Sequence, residues 1–215
     1  MDNPLLHSQE WTRTSDTGFK SMVKESKKAI FTVDLEDYYH ALCSAKDWEH
    51  YEDRIKEPSY FLLDLLEKYG IKAHWYALGI VAKQHQELIW HIATRGHKVG
   101  SHGYWHEHGC EMGDSSDISA RNAIENVVGK CIGFRSPYWD TTPRPGYGGG
   151  AYFRILPLWF TTREVKRTGQ FWIHPHDLDE GQPRLKGAPW WRYIGIKGAR
   201  GKLEKLLERI EWRDA

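Results

Sequence analysis

The chain has 215 residues, which is enough for one hydrophobic core and short for two. Its 30 Lys and Arg residues against 29 Asp and Glu residues give a net charge of +1, which provides no electrostatic attraction for nucleic acid or an anionic membrane. No apolar run approaches the roughly 18 residues that a membrane-spanning helix needs. The composition therefore argues against nucleic-acid binding and a membrane span, and favours a compact enzyme domain.

Helices and strands are predicted to alternate along most of the chain. Residues 1–27 are polar and weakly patterned, and we predict that they form an arm across a domain spanning residues 28–215. Apolar residues at helical spacing predict helices over 58–69, 80–94, 119–128, 156–166 and 198–210, with a loop or short helix over 47–56. Short β-prone runs predict strands over 29–33, 71–78, 97–101, 131–134 and 170–174. Such alternation with short links is typical of an α/β fold with parallel strands.

Three carboxylates follow the first predicted strand. The run over 29–33 leads directly into Asp34, Glu36 and Asp37. Acids at the end of a buried strand are energetically costly unless they are paired or bind a metal. Taken singly, each could equally well be a helix or turn cap.

Two histidines, His102 and His106, lie four residues apart after the predicted strand 97–101. On a helical backbone, side chains at this spacing share one face and can bind the same ion. A catalytic zinc typically has three protein ligands and one open position, and neutral imidazole is the commonest metal ligand. The pair therefore predicts two of three ligands, although an isolated pair of this kind is more often two surface histidines.

Two further polar residues emerge from the ends of predicted strands. Arg135 follows the strand over 131–134, and His174 ends the strand over 170–174. In barrels of parallel strands, active-site residues collect at the carboxyl ends of the strands. Taken alone, Arg135 could be part of a structural ion pair and His174 a hydrogen-bonded core residue.

In order along the chain, these motifs resemble those of the polysaccharide deacetylase family, also called the NodB-homology or carbohydrate esterase family four enzymes. The likeness runs from about Lys28 to the C-terminus and includes the linking segments 70–79, 95–100 and 148–154. It is closer to the branch found in bacterial exopolysaccharide and O-antigen gene clusters, because residues 32–38 read TVDLEDY where other members have two adjacent aspartates followed by glycine. The resemblance implies a distorted (β/α) barrel of mostly parallel strands.

The resemblance also implies a reaction, the removal of acetyl groups from an N-acetylated sugar during synthesis of a cell-surface or exported polysaccharide. His102, His106 and one carboxylate would hold a divalent metal ion, with Zn²⁺ the leading candidate. Residues 34 and 36 face the same side of a continuing strand. Glu36 is therefore the favoured carboxylate ligand, and Asp37 remains the alternative if the chain has already turned.

Further roles follow from the same resemblance. Asp34 would be the general base, Arg135 would keep it ionised and oriented, and His174 would be the general acid for the leaving amine. A backbone N–H near Tyr38 would be an oxyanion donor. Substrate contacts would come from Tyr38, Pro137 and Tyr138.

One passage departs from the family pattern. Relatives usually carry a strand–helix–strand passage between the Arg-x-Pro motif and the triple glycine, whereas here Trp139 and Gly148 are separated only by residues 140–147. A family motif bearing an aspartate and a tryptophan near the pocket has no counterpart. We therefore expect a barrel that is smaller or more open than usual for the family.

Two other functions stay open at the level of sequence. A glycoside hydrolase could use the acid cluster as a carboxylate pair and would not need His102 and His106. A non-catalytic member could keep the fold for carbohydrate binding. We interpret His108, Cys110 and His176 as ordinary residues, and most of the Trp and Tyr residues as core packing, although Tyr138, Trp139, Trp190 and Trp191 could stack on sugar rings.

The cysteines and the first residues bear on location. Cys43, Cys110 and Cys131 are odd in number and widely spaced, which fits unpaired thiols in a reducing compartment. The first residues show no basic stretch followed by an apolar core. We therefore expect a cytoplasmic protein.

Overall fold

The computed structural model describes residues 28–214, so the arm predicted for residues 1–27 lies outside the described residues. Four strands, β1 (Ile30–Leu35), β2 (His74–Ala77), β3 (Lys98–Ser101) and β4 (Gln170–Ile173), form one sheet in the order β3-β2-β1-β4. All three strand pairs are parallel, with Thr32 opposite both His74 and Trp172. The α/β class with parallel strands is therefore confirmed.

Seven α-helices and four short 3₁₀ helices surround this sheet within the described residues. The α-helices are α1 (Lys56–Lys68), α2 (Gly79–Gln84), α3 (Gln86–Thr94), α4 (Ser115–Val128), α5 (Gly150–Ile155), α6 (Leu158–Thr168) and α7 (Ala199–Leu207). The 3₁₀ helices are Ala45–His50, Pro137–Trp139, Pro175–Leu178 and Trp190–Tyr193. None of the helices in residues 28–214 combines the length and hydrophobicity needed to cross a bilayer.

Two predicted elements differ from the structure. The helix predicted over 80–94 is two helices, because His85 leaves helical geometry with φ −121° and ψ 48° and its buried ring lies 3.0 Å from Asp53. The strand predicted over 131–134 is reduced to one parallel bridge between Phe134 and Ser101. Backbone hydrogen bonds from Ile132 to Val99 and from Ser101 to Gly133 still hold that segment beside β3.

The core lies on both faces of the sheet, as expected for parallel strands covered by helices. In β1, Phe31, Val33 and Leu35 are fully buried, and the alternate residues Thr32 and Asp34 are almost as inaccessible. In the described residues the sheet is open, because β3 and β4 lie at its two ends and do not pair with each other. This agrees with the expectation of a small or open barrel.

The triple glycine is required by close packing against β4. A Cβ on Gly149 would lie 2.1 Å from the Trp172 carbonyl oxygen and 2.6 Å from the Trp172 side chain. We expect Gly149→Ala to destabilise the protein by about 1–3 kcal/mol, because the backbone of a strand that is hydrogen-bonded into the sheet cannot readily move aside. The matched control is Gly201→Ala in α7, where a Cβ meets nothing within 4 Å and the change is expected to stabilise by about 0.5–1 kcal/mol. Chemical denaturation measures the free energy of unfolding, which should fall in Gly149→Ala and rise in Gly201→Ala. Equal stability of the two variants would contradict this packing argument.

Candidate metal and acid–base site

The residues that the sequence singled out converge at the carboxyl end of the sheet. Asp34 is the fifth residue of β1, Glu36 follows that strand, His102 follows β3 and His174 follows β4. Parallel strands bring their carboxyl ends to one edge, so three distant motifs meet there. All four side chains line a cavity of about 180 Å³, the reaction cavity. Its other lining residues are Ala41, His106, Tyr138, Trp139, Trp172, His176 and Arg192.

Glu36, His102 and His106 form a buried group whose ligand atoms all lie within 4.8 Å of one another. His106 Nε2 is 2.7 Å from Glu36 Oε2. That oxygen nevertheless has no hydrogen-bond partner among the described residues. The two atoms are in contact without the alignment of a hydrogen bond, and each can contribute a ligand atom to one metal ion.

The segment between the two histidines is a loop, which corrects the helical geometry assumed for their spacing. Residues 102–106 have no helical assignment, and His106 adopts φ 58°, a region that costs a residue with a Cβ some strain. The loop is fixed by the α2 N-terminus, where Gly79 and Ile80 donate backbone hydrogen bonds to the carbonyls of Gly103 and Tyr104. The rings of His102 and His106 still meet, with centroids 5.3 Å apart.

The orientation of His102 is set by a neighbouring backbone carbonyl. Its Nδ1 lies 2.8 Å from the Arg135 carbonyl oxygen, so the N–H belongs on Nδ1 and the lone pair on Nε2. Burial lowers the pKa of His102 to about 4, which keeps the ring neutral. A neutral imidazole with an oriented lone pair is the form that binds a metal.

The structure brings Glu36 to the histidines and leaves Asp37 elsewhere. The Asp37 carboxylate accepts backbone hydrogen bonds from Tyr38 and Arg54, each at 2.7 Å, so it shapes the loop after β1. Burial raises the pKa of Asp37 to about 6. For Glu36, burial raises the pKa, but His106, His174 and their neighbour His176 together hold it well below its usual range. Glu36 is therefore a carboxylate in this pocket.

Asp34 and Arg135 are in contact, as their motifs predicted. Arg135 Nη1 donates to Asp34 Oδ1 at 2.5 Å, and both side chains are buried. The guanidinium lies over the Tyr76 ring at 4.1 Å and the Trp139 ring at 4.5 Å, so aromatic faces hold it in place. The ion pair holds the Asp34 carboxylate in place beside Glu36, His102 and His106.

His174 is oriented by a residue that the sequence analysis missed. Its Nδ1 lies 2.8 Å from Asp177 Oδ2, and its Nε2 lies 3.5 Å from Glu36 Oε1. Asp177 in turn accepts from Arg154 Nε at 2.7 Å. Burial lowers the pKa of His174, but the Asp177 carboxylate, followed by Glu36 and Asp34, outweighs burial and raises the pKa above its ordinary value. The ring can therefore carry a proton and present it on Nε2.

His176 lies beside His174 and completes a second group with Glu36. The rings of His174 and His176 stack with centroids 4.6 Å apart and an interplanar angle of 12°. Ring lone pairs lie in the ring plane, so two stacked rings direct theirs into separate planes and suit one shared ion poorly. Burial and the neighbouring His174 hold the pKa of His176 well below its usual range.

The three expected substrate contacts have different surroundings. Tyr38 is buried, and its own N–H donates to Asp37, so an oxyanion donor near Tyr38 would have to be a different backbone N–H. Pro137 is also buried and does not line the reaction cavity. Tyr138 does line it, with 38% of its surface exposed and its hydroxyl donating to the Ala41 carbonyl at 2.9 Å.

Comparison with known proteins connects this geometry to a family. Residues 51–146 match the family model described as polysaccharide deacetylase. Over these residues, which are somewhat under half of the chain, the sequence is similar to that family. Residues 141–215 match a second model, a domain of unknown function (DUF3473), so a polysaccharide deacetylase region is followed by a region that the first model does not cover.

Curated relatives share part of the chain. A peptidoglycan deacetylase from Helicobacter pylori is 31% identical over 84 residues, which is 37% of this chain and 29% of that protein. A peptidoglycan-N-acetylglucosamine deacetylase from Listeria monocytogenes is 31% identical over 87 residues, or 40% of this chain and 18% of that protein. The matched part thus spans less than a third of the length of these relatives.

Solved structures agree in fold. A peptidoglycan N-acetylglucosamine deacetylase shares 16% identity at a TM-score of 0.56, covering 89% of this chain and 86% of that one. A CE4 family pseudoenzyme from Bacillus anthracis shares 13% identity at a TM-score of 0.53, covering 88% of this chain and 64% of that one. Active and inactive proteins thus share this fold, so activity has to be argued from the side chains at the site.

Proposed function

We propose that this chain is a metal-dependent deacetylase that hydrolyses the acetamido group of an N-acetylated sugar. The observation that carries the proposal is that three sets of groups meet at one cavity and each set contributes at least one lining side chain. These sets are the buried Asp34–Arg135 pair, the Glu36–His102–His106 group and the His174–Asp177 pair. The names of the curated relatives support the same chemistry.

The donor set fits a divalent ion. Glu36 offers a buried carboxylate oxygen without a hydrogen-bond partner, and His102 offers an oriented neutral nitrogen. Two imidazoles and one carboxylate with a position left open are typical ligands of a catalytic Zn²⁺, which is our proposed cofactor. When bound, such an ion polarises the acetyl carbonyl and lowers the pKa of water to about 7.

The chain's own residues supply the proton transfers. Asp34, held by Arg135, accepts a proton from the attacking water. His174, held through Nδ1 by Asp177, donates a proton from Nε2 to the departing sugar nitrogen. A base already engaged with the water's proton cannot readily protonate the amine, so two separate groups are needed.

The biological setting is also part of the proposal. The form of residues 32–38 supports a role in making a cell-surface or exported polysaccharide, and the cysteine pattern supports a cytoplasmic location. The relatives named above are peptidoglycan deacetylases, so peptidoglycan is the alternative polymer to compare.

The decisive experiment measures acetate release from an N-acetylglucosamine oligomer with and without a chelator. We expect release that stops when the metal is removed and returns when Zn²⁺ is added, because the metal-binding group lines the reaction cavity. New reducing ends without acetate would indicate a glycoside hydrolase. Binding without either product would indicate a non-catalytic member, and both results would overturn the proposal.

A further inference from the structure

We propose that the groove between α2 and α4 is a second binding site, for a neutral N-acetylated oligosaccharide. This accessory groove encloses about 720 Å³, within the roughly 300–1,000 Å³ range of small-molecule sites. It lies outside the reaction cavity, with which it shares no lining residue. The inference rests on the proposed function in one respect, since that function makes an N-acetylated glycan the ligand.

The α4 wall of the accessory groove is an uncharged polar stripe. Ser115, Ser119, Asn122 and Asn126 follow helical spacing and all line the groove. Exposed helix faces more commonly carry long charged residues, which form helices well, whereas Asn is a poor helix former. The two asparagines are therefore not explained by the stability of α4.

The amides of this stripe are free to bind a ligand. Asn122 and Asn126 are exposed, and in the described part of the chain neither side chain makes a hydrogen bond or another polar contact. Each amide offers two N–H donors and one carbonyl acceptor. Sugar hydroxyls and acetamido groups need such paired donors and acceptors, whereas an anionic or strongly apolar ligand does not.

An aromatic side chain lies between the accessory groove and the next cavity along the surface. Trp105 is 41% exposed and lines both the accessory groove and a neighbouring cavity of about 670 Å³. That middle cavity shares His106 and Tyr138 with the reaction cavity. Three cavities thus share walls in series, and Trp105 presents the kind of flat apolar surface on which sugar rings stack.

The groove is also built rigidly. The Tyr104 ring packs onto Gly79 so closely that a Cβ there would lie 2.3 Å from Tyr104 Cδ2. The Tyr104 N–H donates to Ser116 Oγ at 2.8 Å, and that hydroxyl donates to Glu107. A surface whose floor is fixed before binding loses little conformational freedom when a ligand arrives.

Calorimetric titration with chitotetraose and with N-acetylglucosamine tests the proposal. The titrations use the full chain carrying Asp34→Asn, so that no turnover occurs and failure of the proposed reaction does not affect the result. We expect the tetramer to bind more tightly than the monomer, because the cavities share walls in series and a tetramer can contact more than one of them at once. Adding Asn122→Ala with Asn126→Ala should weaken tetramer binding about tenfold and leave monomer binding unchanged.

Matched variants separate the groove from general surface effects. Gln84→Ala removes an exposed amide that does not line the groove, and Trp90→Ala removes a tryptophan that is 51% exposed elsewhere. Both should bind the tetramer like the parent, whereas Trp105→Ala should bind it more weakly. Equal affinity for monomer and tetramer, or unchanged tetramer binding after loss of both asparagines, would overturn the proposal. Acetate release by the unmodified chain tests the proposed function separately.

Discussion

Asp34→Asn is expected to abolish deacetylation while the protein keeps its metal. Asp34 lines the reaction cavity, and one of its oxygens accepts from Arg135 at 2.5 Å. An amide of the same shape cannot accept a proton from water at neutral pH, so the general-base contribution is lost. That contribution is worth about 10²–10⁴ in rate, and kcat should fall by a factor in this range.

The metal content of the variant gives the essential second measurement. Asp34 is not one of the three residues of the metal-binding group, so metal content determined by mass spectrometry should match the parent. Asp117→Asn is the matched control, because Asp117 is a buried aspartate whose 2.8 Å pair with Arg121 lies in α4. It should cost stability without slowing turnover of the folded protein. Substantial turnover by Asp34→Asn at full metal content would remove Asp34 from the base role.

The arrangement of the site could be predicted from the sequence because parallel strands bring the residues at their carboxyl ends together. Asp34, His102 and His174 each come at or just after the end of a β-prone run, and those ends share one edge in the fold. Glu36 was favoured over Asp37 because alternate residues of a continuing strand face the same side, and it does reach the histidines although β1 ends at Leu35. A short apolar run followed by a polar residue was sufficient to predict each of these positions, because each run forms its own strand.

Contacts that depend on the loops could not be predicted in this way. His102 and His106 do meet, but through a loop with a left-handed His106, and not through a helix. The four-residue spacing identified the right pair of histidines, but the helical backbone assumed for that spacing is absent from the structure. The N–H of Tyr38 is bound to Asp37 for a similar reason, because a tight turn after β1 could not be foreseen from residue types.

The most consequential omission was Asp177. An aspartate three residues after a histidine has no distinctive pattern, and only the 3₁₀ turn Pro175–Leu178 brings the carboxylate back to His174. Arg154, which holds Asp177, comes from α5 and is 23 residues away in sequence. The family motif that the short link between Trp139 and Gly148 lacks carries an aspartate near the pocket. In this chain, Asp177 follows β4, as His174 does, and it supplies a carboxylate next to that histidine.

His174→Ala is expected to lower kcat by about 10²–10⁴ with little change in KM or metal content. The ring is needed only when the sugar nitrogen departs, so its loss should raise the barrier without weakening substrate binding. His176→Ala is the discriminating control, because His176 lies next to His174 but its pKa is held well below its usual range by burial and by His174. A ring that stays neutral cannot donate the proton, so this variant should keep far more activity. If His176→Ala is the slower of the two, the acid has been assigned to the wrong histidine.

Asp177→Asn then tests why His174 can serve as the acid. The Asp177 carboxylate raises the pKa of His174 against the opposing effect of burial, so removing its charge should lower that pKa. An acid must be protonated to act, and activity falls as the pH rises through its pKa. The alkaline limb of the kcat profile should therefore move to lower pH in Asp177→Asn. A role confined to holding the ring in place would reduce kcat at every pH and leave the limb where it was.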